Sequence, residues 1–337
     1  MDLYPLLMTP HFIHGAVTPW GGCALRDIFM KEAPEGNIGA SLEVSVMEGQ
    51  ESMVSNGPHA GKSLPRMVEL WGEALTGPIA GGFPLLLKLL DAESDLSVQV
   101  HPGDDYAREH ENSSGKSMAW VILNAEPGAS IVYGMDAEGA DLKQLVAEGR
   151  VADHLRRVNV QPGDVYHIPA GMIHALGGGI QAYELAENSD LAYRLYDWDR
   201  ADAQGNKRAL HVEKALDVAD PGLKLDKNEG TTVLCKGGSV TYYISDEHFE
   251  LARLNLSGKM PLETDRMLIL TPMSPCELKW GDETMEVPPF ATVVVPAALA
   301  DVTLVGNTKV LMASLPDRAK LRDLLGYRAE NVAGLVD

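Results

Sequence analysis

The sequence predicts a mainly β protein built from antiparallel barrels, and three observations carry that expectation. Beyond about residue 228, short apolar runs recur between turn residues at regular intervals, the mark of a sandwich or barrel. Earlier, the stretches around Gln99-Val100-His101 and from Ile180 to Ala186 alternate with the period of two that gives a strand two different faces. Finally, VPPFATVVVPAAL at 287 to 299 repeats the turn, strand and Pro-Ala turn of QPGDVYHIPAGMI but lacks its histidine. Two related barrels are implied, one carrying ligands and one without.

At 337 residues the chain suggests two domains, placed at 1–227 and 228–337. Trp20-Gly21-Gly22 begins a loop-rich opening, Ala40 to Val46 reads as a strand bearing Glu43, and Ser63 to Leu75 as a short amphipathic helix. After the glycine break at Gly81-Gly82, FPLLLKLLDAESDLSVQVHP sets two apolar runs around an acidic turn, which predicts a buried hairpin. Lys88 sits among leucines in the first run and requires a partner, an anion or a path to the strand end. In the second run Ser97, Gln99 and His101 share one face while Val98 and Val100 fill the other, and Pro102-Gly103 ends the strand. Gly115-Lys116 opens a further strand, KSMAWVIL, with Lys116, Met118 and Trp120 on one face. Ala140 to Val158 and Leu210 to Val218 carry helical patterns, and DRAKLRDLLGY is a closing helix. The later strands are expected at 240–244, 249–256, 267–271, 276–280, 291–295, 301–305 and 310–313.

The chemistry concentrates in residues 162 to 200, where histidines, carboxylates and arginines interrupt strand-like sequence. Pro169-Ala170-Gly171 forces a turn that delivers His174 to the mouth of the next strand, and Gly177, Gly178 and Gly179 permit close approach of another group. Glu184 shares a face with Ile180, Ala182 and Ala186, so a lone carboxylate points inward and must be paired, metal-bound or shifted in pKa. Gln99 and His101, presented together by one strand, combine with His174 into a three-ligand set of the kind catalytic zinc uses.

Composition narrows the partners. A net charge of −20, from 28 basic and 48 acidic residues, argues against nucleic acid or an anionic membrane surface, and an anionic substrate would need a local basic cluster. Cys23, Cys235 and Cys276 lie far apart without CxxC spacing, as reduced thiols of a cytoplasmic protein do. The opening MDLYPLLMTPHF has no basic or sustained apolar stretch, and no segment reaches transmembrane length.

The order and spacing of FPLLLKLLDAESDLSVQVHP, the Gly115-Lys116-Ser117 strand, HIPAGMIHALGGG and YELAENSDLAYRLYDWDR closely resemble the type I phosphomannose isomerases in their short bacterial form. Trp20-Gly21-Gly22, SLEVS and LHVEKALDV extend the resemblance over nearly the whole chain. It implies a cupin-like fold of double jelly-roll barrels with a few peripheral helices. It also implies a metal-dependent aldose-ketose isomerase that interconverts mannose 6-phosphate and fructose 6-phosphate. The family's metal ligands fall on Gln99, His101 and His174, implying a single Zn²⁺ per chain. Where the family usually shows Gly-Lys-Thr-Glu, this chain has Met118 in place of the glutamate ligand, and a thioether is a poor zinc donor. Glu111, Glu109 and Glu43 are the carboxylates considered as its replacement.

Lys116, Glu184, Asp190 and Arg194 match the family's active-site lysine, carboxylates and arginine, and Lys88 matches its FPLLIK lysine. On that basis the metal and Arg194 stabilise the developing oxyanion, Lys116 contacts substrate or shuttles a proton, and Glu184, Asp190 and Lys116 all stand open as the base. The phosphate is expected at Ser97, Lys116 and Ser117. The competing class is a non-catalytic sugar-phosphate-binding relative that lost turnover with the glutamate.

Overall fold

Strands dominate the structure, a computed structural model that describes residues 2–79, 82–136, 141–202 and 204–335; Gly81 and Ala140 lie outside these. The fold is mainly β and cupin-like, with antiparallel sheets and a few short helices. The chain divides into two compact units. One comprises Met1–Phe12, Ser41–Lys88 and Asn228–Asp337, the other Ile13–Ala40 and Leu89–Lys227.

Every residue that the spacing singled out as a metal ligand belongs to the second unit. A five-stranded antiparallel sheet runs in the order Tyr193–Tyr196, Val98–Val100, His174–Ala175, Ser130–Met135, Leu155–Asn159. Its apolar face carries Val98, Val100, Val132, Ala175 and Leu195, which pack with Leu142, Leu145 and Ala215 of the helices Leu142–Ala147 and Val212–Val218. Burial of that face fixes which way the alternate residues point. A second sheet contains Val165–Ile168, Met118–Ala125 and Ile180–Glu187 side by side, continuing through Leu85–Ala92 and Ile38–Val44 to His11–His14.

The predicted hairpin within FPLLLKLLDAESDLSVQVHP does not form: Leu85–Ala92 and Val98–Val100 pair in different sheets. The acidic turn is a corner instead, held by the Glu93 and Ser94 N–H groups on Trp20 O and by Leu96 N–H on Leu176 O at 2.9 Å. The helical pattern to Val158 is also shorter than expected. The Asp141 side chain caps the helix Leu142–Ala147 by accepting from Lys143 N–H, Gly149 at φ +68° turns the chain out, and LRRVN becomes the edge strand Leu155–Asn159. The glycine trio does permit a close approach, but the approaching group is the protein's own backbone. A Cβ on Gly177 would lie 1.9 Å from Ser130 O, and one on Gly178 would lie 3.0 Å from Glu93 O.

In the other unit, Leu254, Leu268, Leu278, Val293, Leu304 and Val310 build the core of a ten-stranded antiparallel sheet. The two strands expected at 301–305 and 310–313 are one, Thr303–Ser314, paired along its length with Glu250–Pro261. Thr231–Cys235 and Glu283–Val287 are strands that the pattern did not show. Among the described residues no helix is long and apolar enough to cross a membrane.

Candidate active site

Arg194, Gln99, His174 and Tyr133 stand opposite one another on four successive strands of the five-stranded sheet. Directly opposed residues share a face, so these side chains form a row on the side away from the helices. His101 follows Gln99 by two and returns to the same side, where its ring lies 4.8 Å from that of His174, the planes inclined by 45°.

The protonation of both rings follows from their partners. His101 Nδ1 is 2.7 Å from Leu191 O and His174 Nδ1 is 2.9 Å from Met172 O. A carbonyl only accepts, so in each ring Nδ1 is the donor and carries a proton. Burial pushes the His174 pKa down to about 4, and the Lys116 charge adds to the effect, so that imidazole is neutral at ordinary pH. Its Nε2 is buried with no hydrogen-bond partner among the described residues. A neutral imidazole oriented through Nδ1 is the form that ligates metals. Two such rings and the Gln99 amide therefore fit a divalent ion with a preference for nitrogen and oxygen donors.

The second sheet supplies the ionic groups. Trp120 stands between Tyr166 and Glu184 in cross-strand register, and its Nε1–H donates to Glu184 Oε2 at 3.0 Å. Lys116 Nζ lies 3.4 Å from Glu184 Oε1, and both side chains are almost wholly buried. The Trp120 indole meets the His174 ring edge to face at 5.5 Å. Together with the electrostatic influence of Lys116 and Glu184 on His174, this brings the ion pair to the histidine centre. Trp120 as the orienting donor to Glu184 was not anticipated. The signal was present, since Trp120 follows Met118 by two on the same strand face.

Met118 is fully buried between Ile168 and Ala186, on the face of Trp120. The carboxylates considered as its substitute are engaged elsewhere or exposed. Glu111 accepts from Tyr193 Oη at 2.7 Å and Lys214 Nζ at 2.6 Å, Glu43 accepts from Ser41 and Thr292 hydroxyls, and Glu109 is exposed. Glu184 is the carboxylate whose charge acts on His174. Ser97 is buried at the start of the strand that presents Gln99. Ser117 lies on the opposite strand face from Lys116 and Met118, its hydroxyl 3.3 Å from His167 Nε2. Asp190 is exposed in the turn after Ile180–Glu187, close in sequence to the Leu191 carbonyl that anchors His101. Lys88 is half-buried in a strand whose other residues are all buried.

The chain is similar to known proteins over most of its length. The profile of the phosphomannose isomerase type I catalytic domain matches residues 16–126. The mannose-6-phosphate isomerase ManA of Bacillus subtilis is 38% identical over 275 residues, covering 80% of this chain and 85% of its own. A mannose-6-phosphate isomerase of Streptococcus mutans is 36% identical over 245 residues, covering 72% and 77%. The crystal structure of a mannose 6-phosphate isomerase from Bacillus subtilis superimposes with a TM-score of 0.85 at 33% identity, over 92% of this chain and 99% of that one.

Proposed function

Because the chain belongs to the type I phosphomannose isomerase family and is an isomerase, we propose that it interconverts mannose 6-phosphate and fructose 6-phosphate through an enediolate, with a divalent metal, zinc by its donor set. The observation that carries this reading is the pair of imidazoles, His101 and His174, each fixed through Nδ1 beside a buried Lys116–Glu184 ion pair. Gln99, His101 and His174 would hold the ion, which when bound supplies Lewis acidity toward the sugar carbonyl oxygen.

The chain's own residues move the proton. Glu184 takes it from C2; the C–H electron pair forms the C1–C2 double bond, and the carbonyl oxygen becomes the oxyanion. The Lys116 ammonium stabilises that oxygen, and Arg194, directly across from Gln99, adds positive charge on the same face. Lys116 shuttles the O2 hydroxyl proton to O1, which moves the negative charge to O2, and return of the proton from Glu184 to C1 then completes the ketose with O2 as its carbonyl oxygen. Trp120 Nε1 holds the Glu184 carboxylate at a fixed angle throughout. Ser97 is assigned a contact to substrate, whereas the exposed Asp190 is given no part in proton transfer.

The test is the coupled isomerase assay on mannose 6-phosphate, run in D₂O. Deuterium at C1 of fructose 6-phosphate is expected for the native enzyme. Glu184→Gln should retain bound metal and lose about 10²- to 10⁴-fold in kcat, the usual contribution of a positioned base. Unchanged turnover in that variant removes Glu184 from the base role.

A further inference from the structure

Arg194 stands on Tyr193–Tyr196, the outermost strand of the five-stranded sheet, which is paired on one side only, with Val98–Val100. An edge strand leaves backbone N–H and C=O groups without ladder partners. At Arg194 both of these groups are taken by a single residue, His211. The His211 N–H donates to Arg194 O at 2.8 Å, and the Arg194 N–H donates to His211 Nδ1 at 3.1 Å.

The helix expected from Leu210 begins at Val212, with His211 as its N-cap residue. The His211 carbonyl is therefore already engaged, accepting the first helical hydrogen bond from Ala215 N–H at 2.8 Å. A neighbouring strand would offer Arg194 a backbone donor and a backbone acceptor; here the imidazole supplies the acceptor that the helix has used. One residue earlier than Leu210, Ala209 O accepts from Arg194 Nη1 at 2.6 Å. The segment Ala209 to His211 thus holds both the backbone and the guanidinium of Arg194, the residue directly across from Gln99.

The geometry assigns the ring's protonation state. A backbone N–H only donates, so His211 Nδ1 carries no proton, the reverse of His101 and His174. The ring lies 6.4 Å from that of Tyr193. The charged groups around it are Arg194 on its own sheet edge, Lys214 on the following helix and Glu111 at the end of Asp104–Glu111. Glu111 is itself engaged by Lys214 Nζ at 2.6 Å and Tyr193 Oη at 2.7 Å. Partial burial lowers the His211 pKa, the Arg194 and Lys214 charges lower it further, and Glu111 opposes them. The neutral ring is the form that fits. A protonated one would turn an N–H toward the Arg194 N–H and bring a second positive charge beside the guanidinium.

We propose that His211 is a positioning residue for the isomerisation: its backbone N–H and neutral ring hold Arg194 across from Gln99, and protonation of the ring releases that hold. The inference rests on the reading that Arg194 stabilises the developing oxyanion.

The experiment measures kcat and KM for mannose 6-phosphate with metal-loaded native enzyme, His211→Ala and His211→Asn, over the range in which imidazoles titrate, about pH 5 to pH 8. Above neutral pH, His211→Ala should lower kcat about 2- to 10-fold, the scale of one lost hydrogen bond, with KM and bound metal unchanged, because Arg194 acts on charge present only in the transition state. An asparagine Oδ1 can accept where Nδ1 does and does not titrate, so His211→Asn should recover most of that loss. The ratio of native to His211→Asn kcat cancels the groups that both proteins share. It should be level at high pH and decline as pH falls through the imidazole pKa, below 6.5. A ratio independent of pH overturns the proposal, as does native kcat in His211→Ala, a rise in KM alone, or an asparagine variant no better than the alanine one. If the variants fail to fold, nitrogen-15 NMR of the native protein decides the matter. The Arg194 amide must shift along the titration of the His211 ring; an amide indifferent to it overturns the proposal. That linkage in a protein that does not turn over mannose 6-phosphate supports the positioning and contradicts the functional reading. Turnover without the linkage does the reverse.

Discussion

The rings of His101 and His174 lie 4.8 Å apart, and each is locked by a backbone carbonyl on Nδ1. His174 pairs directly with Gln99, and His101 follows that strand's last residue, so the strand pairing brings the two rings together. His101→Ala removes one of three donors and should abolish metal content in the purified protein together with turnover. Native metal content in that variant would mean that the ion sits elsewhere.

Met118 stands where the family resemblance implies a glutamate ligand, and its side chain is buried on the face of Trp120. Met118→Glu should tighten metal binding by about 10- to 100-fold in competition with a chelator, a change of the size that even outer partners of a metal site produce. The same variant stripped of metal should melt lower than the native apoprotein, because a buried carboxylate without an ion is costly. Weaker metal binding in Met118→Glu would show that residue 118 does not face the ion.

Gly177 has no room for a side chain, its hypothetical Cβ falling 1.9 Å from Ser130 O. Gly177→Ala must therefore move backbone, and urea unfolding should show a loss of about 1–3 kcal/mol or more. Unaltered stability would contradict the close approach.

Glu250 is a buried carboxyl paired with Arg266 at 3.2 Å, and burial outweighs that partner, pushing its pKa up to about 7 from a usual value of 4.5. A folded-state pKa above the unfolded value gives stability that is complete below about 4.5 and is lost as pH rises through about 7. Glu250→Gln cannot ionise. Relative to native protein, the variant should gain stability between pH 5 and pH 8 by up to about 3 kcal/mol, read from denaturant midpoints at several pH values. A difference independent of pH would contradict the shifted pKa.

Much of the histidine centre was legible because strand periodicity is local. Gln99 and His101 two residues apart, the turn before His174 and the inward Glu184 each follow from a few consecutive letters. What escaped depends on pairing over long distances. FPLLLKLLDAESDLSVQVHP has the letters of a hairpin, yet its halves join different sheets because Leu96 and Glu93 are held by Leu176 and Trp20. LRRVN continues a helical pattern and is a strand because Ser130–Met135 offers it an edge. Asp197, Arg200 and Arg208 stand in YDWDR and KR with no spacing pattern to join them. Two left-handed residues, Trp198 and Asp199, and the Asp197 carboxylate contacting both arginines gather them, and neither feature has a sequence period.

The central claim, that an ion held by Gln99, His101 and His174 is required for isomerisation, is tested most directly by removing it. Metal analysis of the purified native protein, followed by chelation and the mannose 6-phosphate assay, should find about one divalent ion per chain. Turnover should vanish on chelation and return with added zinc. A protein that contains no metal and isomerises mannose 6-phosphate at full rate would contradict the account.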